Sequence, residues 1–166
     1  TRYFINSIGF GFDAEIVKMT NSMTVRNKEH EYLFSLFKCL LKSKKINVKI
    51  DSGDFHYKGK VLSISIAIGK YSGGGMQQTP HAINNDGLFD ISIFGDISKF
   101  TVVRYVNTLF NGTVTEVTNK NLTFTRISDK VTLEVATPTL AEIDGELIGD
   151  GPYERSIIKN GLNVIN

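Results

Sequence analysis

From residue 46 onward, apolar side chains recur at every second position in one short segment after another. A period of two places alternate side chains on opposite faces of a strand, so a chain patterned this way has to build sheets and cover them. Ile46, Val48 and Ile50 alternate, and Phe55 and Tyr57 follow, with a short turn expected at Lys58-Gly59. The pattern is cleanest over 61–68: Leu62, Ile64, Ile66 and Ile68 share one face, and Ser63, Ser65 and Ala67 the other. Segments 88–94, 122–127, 131–135, 140–143, 156–159 and 162–165 read as further strands, and 2–8 as a first strand ending at Gly9 and Gly11. Short strands at such close spacing point to a sandwich or a folded-over sheet.

Helical spacing is confined to three places. Asp13 is placed to cap a short helix to about Met19. Over 29–43, Tyr32, Leu33, Leu36, Phe37, Leu40 and Leu41 recur three and four apart, and Lys42, Lys44 and Lys45 follow where cations suit the helix dipole. Over 99–110, Phe100, Val103, Val106, Leu109 and Phe110 share a side, and Asn111-Gly112 stops the helix. The expected class is therefore α+β, mainly β: a two-layer β-sandwich with a few helices, as one domain over residues 1–166.

Composition narrows the function classes. A formal net charge of +2 argues against a nucleic-acid binder that relies on a dense basic surface. The single cysteine, Cys39, excludes an internal disulfide framework, suits a reducing compartment, and sits at helical spacing among apolar residues, as a buried structural thiol does. No apolar run reaches the roughly 18 residues of a membrane span. The first residue is Thr1, in strand-like sequence, which reads as a fragment of something longer.

Four glycine-marked segments stand out. Asp144-Gly145-Glu146 breaks an apolar strand with two carboxylates around a glycine, and a partly desolvated acid at a strand end can serve as a general base. Gly73-Gly74-Gly75 is either a plain hairpin turn or a loop that brings backbone close to a ligand, and it is no Walker loop. Asn84-Asn85-Asp86-Gly87 is either a turn or, through its carboxylate and neighbouring carbonyls, a seat for a hard cation. Residues 6–14, with Gly9, Gly11 and Asp13, look like a strand-to-helix anion-binding turn without a full dinucleotide fingerprint. His30, His56 and His81 lack partners at metal-ligand spacing, and no nucleophile elbow occurs.

The order of these segments carries more than any one of them. Asn6-Ser-Ile-Gly-Phe-Gly-Phe-Asp-Ala14, Gly73-Gly-Gly75 with Pro80-His-Ala82, Asp86-Gly-Leu-Phe-Asp90, Asp144-Gly-Glu146 and Leu162-Asn-Val-Ile165 together resemble the C-terminal domain of the diacylglycerol kinase-like lipid kinases, the YegS group related to sphingosine kinases. The resemblance covers essentially the whole chain. It implies the C-terminal half of a two-domain kinase, whose N-terminal domain carries a Gly-Gly-Asp-Gly-Thr segment for ATP that is missing here. An isolated half of that kind would be inactive. The resemblance also implies that Glu146 takes the proton from the acceptor hydroxyl, and that Asp144 orients the loop or touches a magnesium-bound water. It implies that Asp86, with the carbonyls of Ile83 and Leu88, binds Mg²⁺, and that Gly9, Gly11, Gly73, Gly74 and Gly75 line the cleft. The implied partners are a lipid substrate, ATP, the N-terminal ATP-binding domain and the membrane periphery, in the cytoplasm or at the inner membrane face. A homodimer is left open.

Two other readings stand beside this one. The absent ATP motif and the apolar-basic helix 29–45 suit a non-catalytic lipid- or nucleotide-binding module, the helix either packing on a sheet or facing a membrane. A nicotinamide-nucleotide kinase shares a related two-domain plan.

Overall fold

A computed structural model describes residues 2–22, 29–53, 55–127, 130–149 and 153–156. The chain order is β1 (Ser7–Gly11), α1 (Phe12–Asn21), α2 (Glu29–Lys42), β2 (Ile46–Ser52), β3 (Phe55–Val61), β4 (Ser63–Ala67), β5 (Phe89–Phe94), α3 (Lys99–Phe110), β6 (Leu122–Ile127), β7 (Lys130–Val135), β8 (Ala141–Ile143), β9 (Glu146–Ile148) and β10 (Tyr153–Ser156). A six-stranded sheet runs β6-β5-β4-β1-β8-β9 and a four-stranded sheet runs β10-β7-β2-β3. All pairings among the described residues are antiparallel.

The sheets close on one core. Ile8, Phe10, Ile64, Ile66 and Ile91 from the six-stranded sheet meet Val48, Ile50, Val131 and Leu133 from the other. Each fully buried aliphatic side chain of this kind contributes roughly 1.5–3 kcal/mol of transfer free energy. The alternation read over 61–68 is therefore right in phase for β4, with Ile64 and Ile66 inward. Leu62 leaves the series. The chain bends there between β3 and β4, Leu62 N–H donates to the carbonyl of Phe94 at 2.7 Å, and its side chain joins a second apolar cluster.

That second cluster covers the outer face of the six-stranded sheet with α1, α2 and α3. The sheet face beneath α1 carries Ser7, Gly9 and Gly11 of β1, with Gly9 registered between Ser65 and Glu142. Small residues let the helix approach. A Cβ on Gly9 would lie 2.8 Å from the Asp13 Cβ and 2.6 Å from a Glu142 carboxylate oxygen. Gly11 adopts φ +69° and serves as N-cap of α1 without a side-chain cap. Asp13 is thus no cap: it lies in the first turn.

Three further expectations change. No turn forms at Lys58-Gly59, because β3 runs straight through it, paired Lys49↔Lys58 and Val48↔Gly59 with β2. The apolar side expected on α2 divides: Leu36 and Leu40 pack inward, while Phe37 and Leu41 are exposed. On α3, Leu109 is buried but Phe100, Val103 and Phe110 are exposed. Cys39 is a buried free thiol, and burial pushes it up to about 11, which keeps it protonated and unreactive at neutral pH. Segments 157–159 and 162–165, expected as strand, lie outside the described residues.

Candidate functional site

The apolar β8 strand ends in a two-residue hairpin. Asp144 at φ +46° and Gly145 at φ +84° supply the pair of positive φ angles that a type I′ turn needs, and Ile143 registers with Glu146 across it. Asp-Gly is a preferred sequence for that turn because Asp tolerates the left-handed region and Gly has no Cβ to clash.

Asp144 then ties the turn to the start of β1. Its Oδ2 accepts the Ile5 N–H at 2.8 Å, and its Oδ1 accepts those of Asn6 at 3.1 Å and Ser7 at 2.9 Å. One carboxylate thereby satisfies three backbone donors ahead of and within β1. Asn6 passes the link on: its Nδ2 donates to the Tyr71 carbonyl at 2.9 Å, next to the 3₁₀ turn Gly73–Gly75. Three of the four glycine-marked segments thus meet here. Asp144 serves there as a clamp that orients the loop, with both oxygens turned onto backbone. Gly74 and Gly75 have positive φ, and Gly73, Gly74 and Gly75 are exposed beside this junction.

Glu146 opens β9, the edge strand of the six-stranded sheet, and is exposed. Its side chain makes no hydrogen bond or ion pair with the described residues. Directly paired residues of antiparallel strands share a face, so Glu146 lies on the face of Ile143. The acids near Gly9 lie on the opposite, helix-covered face. Glu146 therefore lies at the sheet edge on the face opposite those acids and does not point at Gly9.

On the helix-covered face the structure assembles a group that motif reading passes over. Asp13 and Glu142 flank Gly9. Glu142 is held: its Oε2 accepts the Gly145 N–H at 2.9 Å. Burial raises its carboxyl above the usual range, against the lowering effect of its backbone hydrogen bonds, and the Asp144 charge adds to the rise. Asp13 rises furthest, to about 7. Burial is the main cause; Glu142 pushes the same way, while hydrogen bonds from Ser63 and Gln78 oppose it. Gln78 Nε2 donates to Asp13 Oδ1 at 3.3 Å. Burial, with Glu142 as a smaller contributor, keeps the Asp13 carboxyl protonated up to about pH 7.

Asp13, Ser63 and Gln78 form the polar end of an otherwise apolar cavity of about 150 Å³. Phe12 and Ile16 of α1, Leu36 and Leu40 of α2, and Val102 and Val106 of α3 line its walls. The sequence signal was present in part: Glu142 breaks the apolar run Leu140–Ile143 at the phase opposite to its inward neighbours Ala141 and Ile143.

The Asp86 segment stands apart. Asp86 Oδ1 accepts the Leu88 N–H at 2.9 Å, and the Asp86 N–H faces the Ile83 carbonyl at 3.3 Å. Asp86 Oδ2 is buried without a hydrogen-bond partner, 3.7 Å from the Arg126 guanidinium. Arg126 also pairs with Asp90 at 3.2 Å. Among the described residues no group of three or more His, Cys, Asp or Glu is gathered for a metal. A hard cation here would therefore rely on one orphaned carboxylate oxygen plus carbonyls. That donor set fits Mg²⁺, with Arg126 as its competitor.

The outer comparisons agree with this architecture. Residues 6–166 match the model of the YegS C-terminal NAD kinase beta sandwich-like domain. A protein of Alcanivorax borkumensis named "Probable lipid kinase YegS-like" is 26% identical over 98% of this chain and 54% of its own length. One of the same name from Yersinia pestis is 33% identical over 66% of this chain and 37% of its own. The chain thus spans about half or less of these relatives. A solved diacylglycerol kinase from Bacillus anthracis superposes with a TM-score of 0.65 at 19% identity, over 94% of this chain and 50% of that one, which shows a shared fold. On the match over residues 6–166, the chain belongs to the YegS C-terminal NAD kinase beta sandwich-like family.

Proposed function

We propose that this chain is the acceptor-binding half of an ATP-dependent kinase that phosphorylates a lipid alcohol, diacylglycerol being the first candidate. The observation that carries the reading is the apolar cavity closed at one end by Asp13, Ser63 and Gln78. An acyl chain needs apolar walls, and a lipid's ester or hydroxyl group needs a few placed polar atoms. A nicotinamide nucleotide carries phosphates and riboses that an almost wholly apolar cavity does not match, which sets the nicotinamide-nucleotide kinase reading behind this one. The family relationship supports the kinase class, since both relatives above carry a lipid kinase name.

In this reading a carboxylate takes the proton of the acceptor hydroxyl as its oxygen bonds to the γ-phosphorus of ATP, and the bond from that phosphorus to the β,γ-bridging oxygen breaks to release ADP. Positioning and charge neutralisation supply most of such catalysis. Glu146 is the residue we assign as base: it sits at an exposed edge, and no partner among the described residues holds its oxygens. Asp144 positions it through the hairpin and the 5–7 backbone. ATP is bound mostly by a part outside this chain, an N-terminal domain of the parent protein, with Gly9, Gly11 and Gly73–Gly75 lining the shared cleft. The protein then works in the cytoplasm against the inner membrane face; no described helix is long and apolar enough to cross a membrane.

Val106→Trp tests the cavity. Filling it is expected to reduce phosphorylation of long-chain diacylglycerol by the parent kinase at least about tenfold, while a short-chain, water-soluble analogue stays within about threefold. Equal loss on both substrates would overturn the assignment of the cavity to the acyl chain.

Asp86, with the Ile83 and Leu88 carbonyls, is the proposed Mg²⁺ seat, a structural ion that would tie the 83–88 turn together. Mg²⁺ at 100 times its dissociation constant stabilises the folded state by about 2.7 kcal/mol. Wild-type protein is expected to melt several degrees higher with Mg²⁺ than with EDTA, and Asp86→Ala to show no such difference. The same Mg²⁺ response in both proteins would dismiss the site.

A further inference from the structure

The turn into β5 and the edge strand β6 bring two acids and one base together. Asp90 and Arg126 are cross-strand partners in the β5–β6 ladder, so their side chains stand on one face of the sheet. Arg126 grips Asp90 with two nitrogens: Nε donates to Oδ2 at 3.2 Å and Nη2 to Oδ1 at 3.4 Å. The same Nη2 also donates to the His81 carbonyl. Nη1 faces Asp86 but stops 3.7 Å from its Oδ2, beyond hydrogen-bond reach. Asp86 Oδ1 is committed to the Leu88 N–H, so Oδ2 is left buried and without a hydrogen-bond partner among the described residues.

One guanidinium thus stands against two carboxylates, and one negative charge is unmatched. A buried carboxylate oxygen without a donor is costly to keep, and a cation beside it removes that cost. Two cations are within reach of Asp86 Oδ2. A hard metal can take it together with the Ile83 and Leu88 carbonyls. Arg126 can also take it, by swinging part of its guanidinium off Asp90. The two cannot both be there, because like charges a few ångströms apart repel, and most strongly where water is scarce. Arg126 has room to move: its side chain is 35% exposed, and it lines an open cleft of about 300 Å³ with Thr79, His81 and Thr115.

We propose that Arg126 is a resident counter-cation that sets how tightly Mg²⁺ binds at Asp86. It half-neutralises the seat while the ion is away, and turns fully onto Asp90 and the His81 carbonyl when the ion is present. Asp90 is the anchor that holds the guanidinium off the seat. The inference rests on the Mg²⁺ reading of Asp86 and names what regulates it. An Arg126 that only braced the 79–82 loop against β6 would need Asp90 and the His81 carbonyl, both of which it already holds. The orphaned Asp86 oxygen beside the guanidinium has no part in such a brace. The two roles also differ in sign: losing a brace weakens the fold with or without metal, whereas losing a competitor strengthens the metal.

The test titrates Mg²⁺ into the parent protein at constant ionic strength, without ATP or lipid, and reads the melting temperature with Asp86→Ala as the blank. Arg126→Gln keeps an amide donor for Asp90 but drops the charge. It is expected to melt below wild type in EDTA and to recover in Mg²⁺. Its half-maximal Mg²⁺ concentration is expected to be at least about tenfold lower than that of wild type. Asp90→Asn releases Arg126 toward Asp86 and should raise that concentration about tenfold; in the Arg126→Gln background the same change should move it less than about threefold. Lys60→Gln removes an exposed cation from β3 in the other sheet and should leave it within about twofold. A second readout needs no variant to be stable. In wild-type protein with ¹⁵N-labelled arginine, the Arg126 Nε–H resonance is expected to move along the same Mg²⁺ curve as the melting temperature. An Arg126→Gln midpoint equal to or above that of wild type, a lowered melting temperature that Mg²⁺ does not restore, or an Arg126 resonance indifferent to Mg²⁺ would overturn the inference and leave the seat standing. No Mg²⁺ response in any of these proteins would remove the seat, and the inference with it.

Discussion

Asp13→Asn is expected to make the fold more stable at pH 8 and to leave it little changed at pH 4. Asp13 carries a carboxyl raised from 3.8 to about 7 by burial at the polar end of the cavity, with Glu142 adding repulsion. A raised carboxyl contributes stability that is complete below the unfolded value, and that stability is lost as pH rises toward the folded value. The window is therefore about pH 4 to 7, in which the unfolded chain ionises freely while the folded one keeps its proton. A rise from 3.8 to about 7 corresponds to roughly 4 kcal/mol at about 1.4 kcal/mol per unit. Because Asp13 keeps some access to the cavity it lines, roughly 2 kcal/mol is the more realistic loss. Asparagine is the same shape, carries no charge and can still accept from Gln78, so it should escape that loss. Urea denaturation of both proteins at pH 4, 6 and 8 measures it. A gap between variant and wild type that does not widen with pH would show that Asp13 ionises normally, and that the cavity's polar end is open to water.

Glu146→Gln is expected to reduce lipid phosphorylation by the parent kinase about 100-fold or more while shifting the unfolding free energy by no more than about 0.5 kcal/mol. The two halves of that expectation have separate grounds. Loss of a general base removes a factor of about 10² to 10⁴. Conservation of stability follows from the exposed position of Glu146 at the start of an edge strand, without an intramolecular partner among the described residues. Glu142→Gln is the control. Glu142 lies on the opposite face of the same hairpin, beside Gly9, and its oxygen caps the Gly145 N–H. If Glu142→Gln abolished transfer and Glu146→Gln did not, the base would be the acid on the helix-covered face, and the geometry of proton abstraction would have to be redrawn around the cavity.

Much of the architecture was legible as period-two alternation, because a strand buried on one face writes that face into its sequence. Ile64 and Ile66 were read in the right phase. Leu62 was not, since the bend that redirects it depends on the carbonyl of Phe94, distant in sequence. Gly59 looked like a turn residue and is mid-strand: pairing with Val48 overrides its local preference, and the Tyr57 side chain packs near the space a Cβ would fill. Helical spacing found the apolar stripes of α2 and α3 but said nothing of whether they are covered, and Phe100 and Leu41 are not. Motif order singled out Asp144, Glu146 and the glycines. It could not find the Asp13–Glu142 pair, which exists only because β1 and β8 are registered Gly9 to Glu142. Asp13 offered a cap-like position by local rules; its role is set by that register and by Gln78, 65 positions away.

The claim on which the account rests is that the cavity beneath α1, α2 and α3 receives the tail of a lipid whose hydroxyl accepts phosphate. The most direct measurement supplies the parent protein with γ-labelled ATP and diacylglycerol in mixed micelles, extracts the lipid, and follows the label. Label in a phosphorylated lipid, reduced by Val106→Trp, is the predicted result. Label that stays out of the lipid fraction, or that appears on a nicotinamide nucleotide offered in the same mixture, would contradict it.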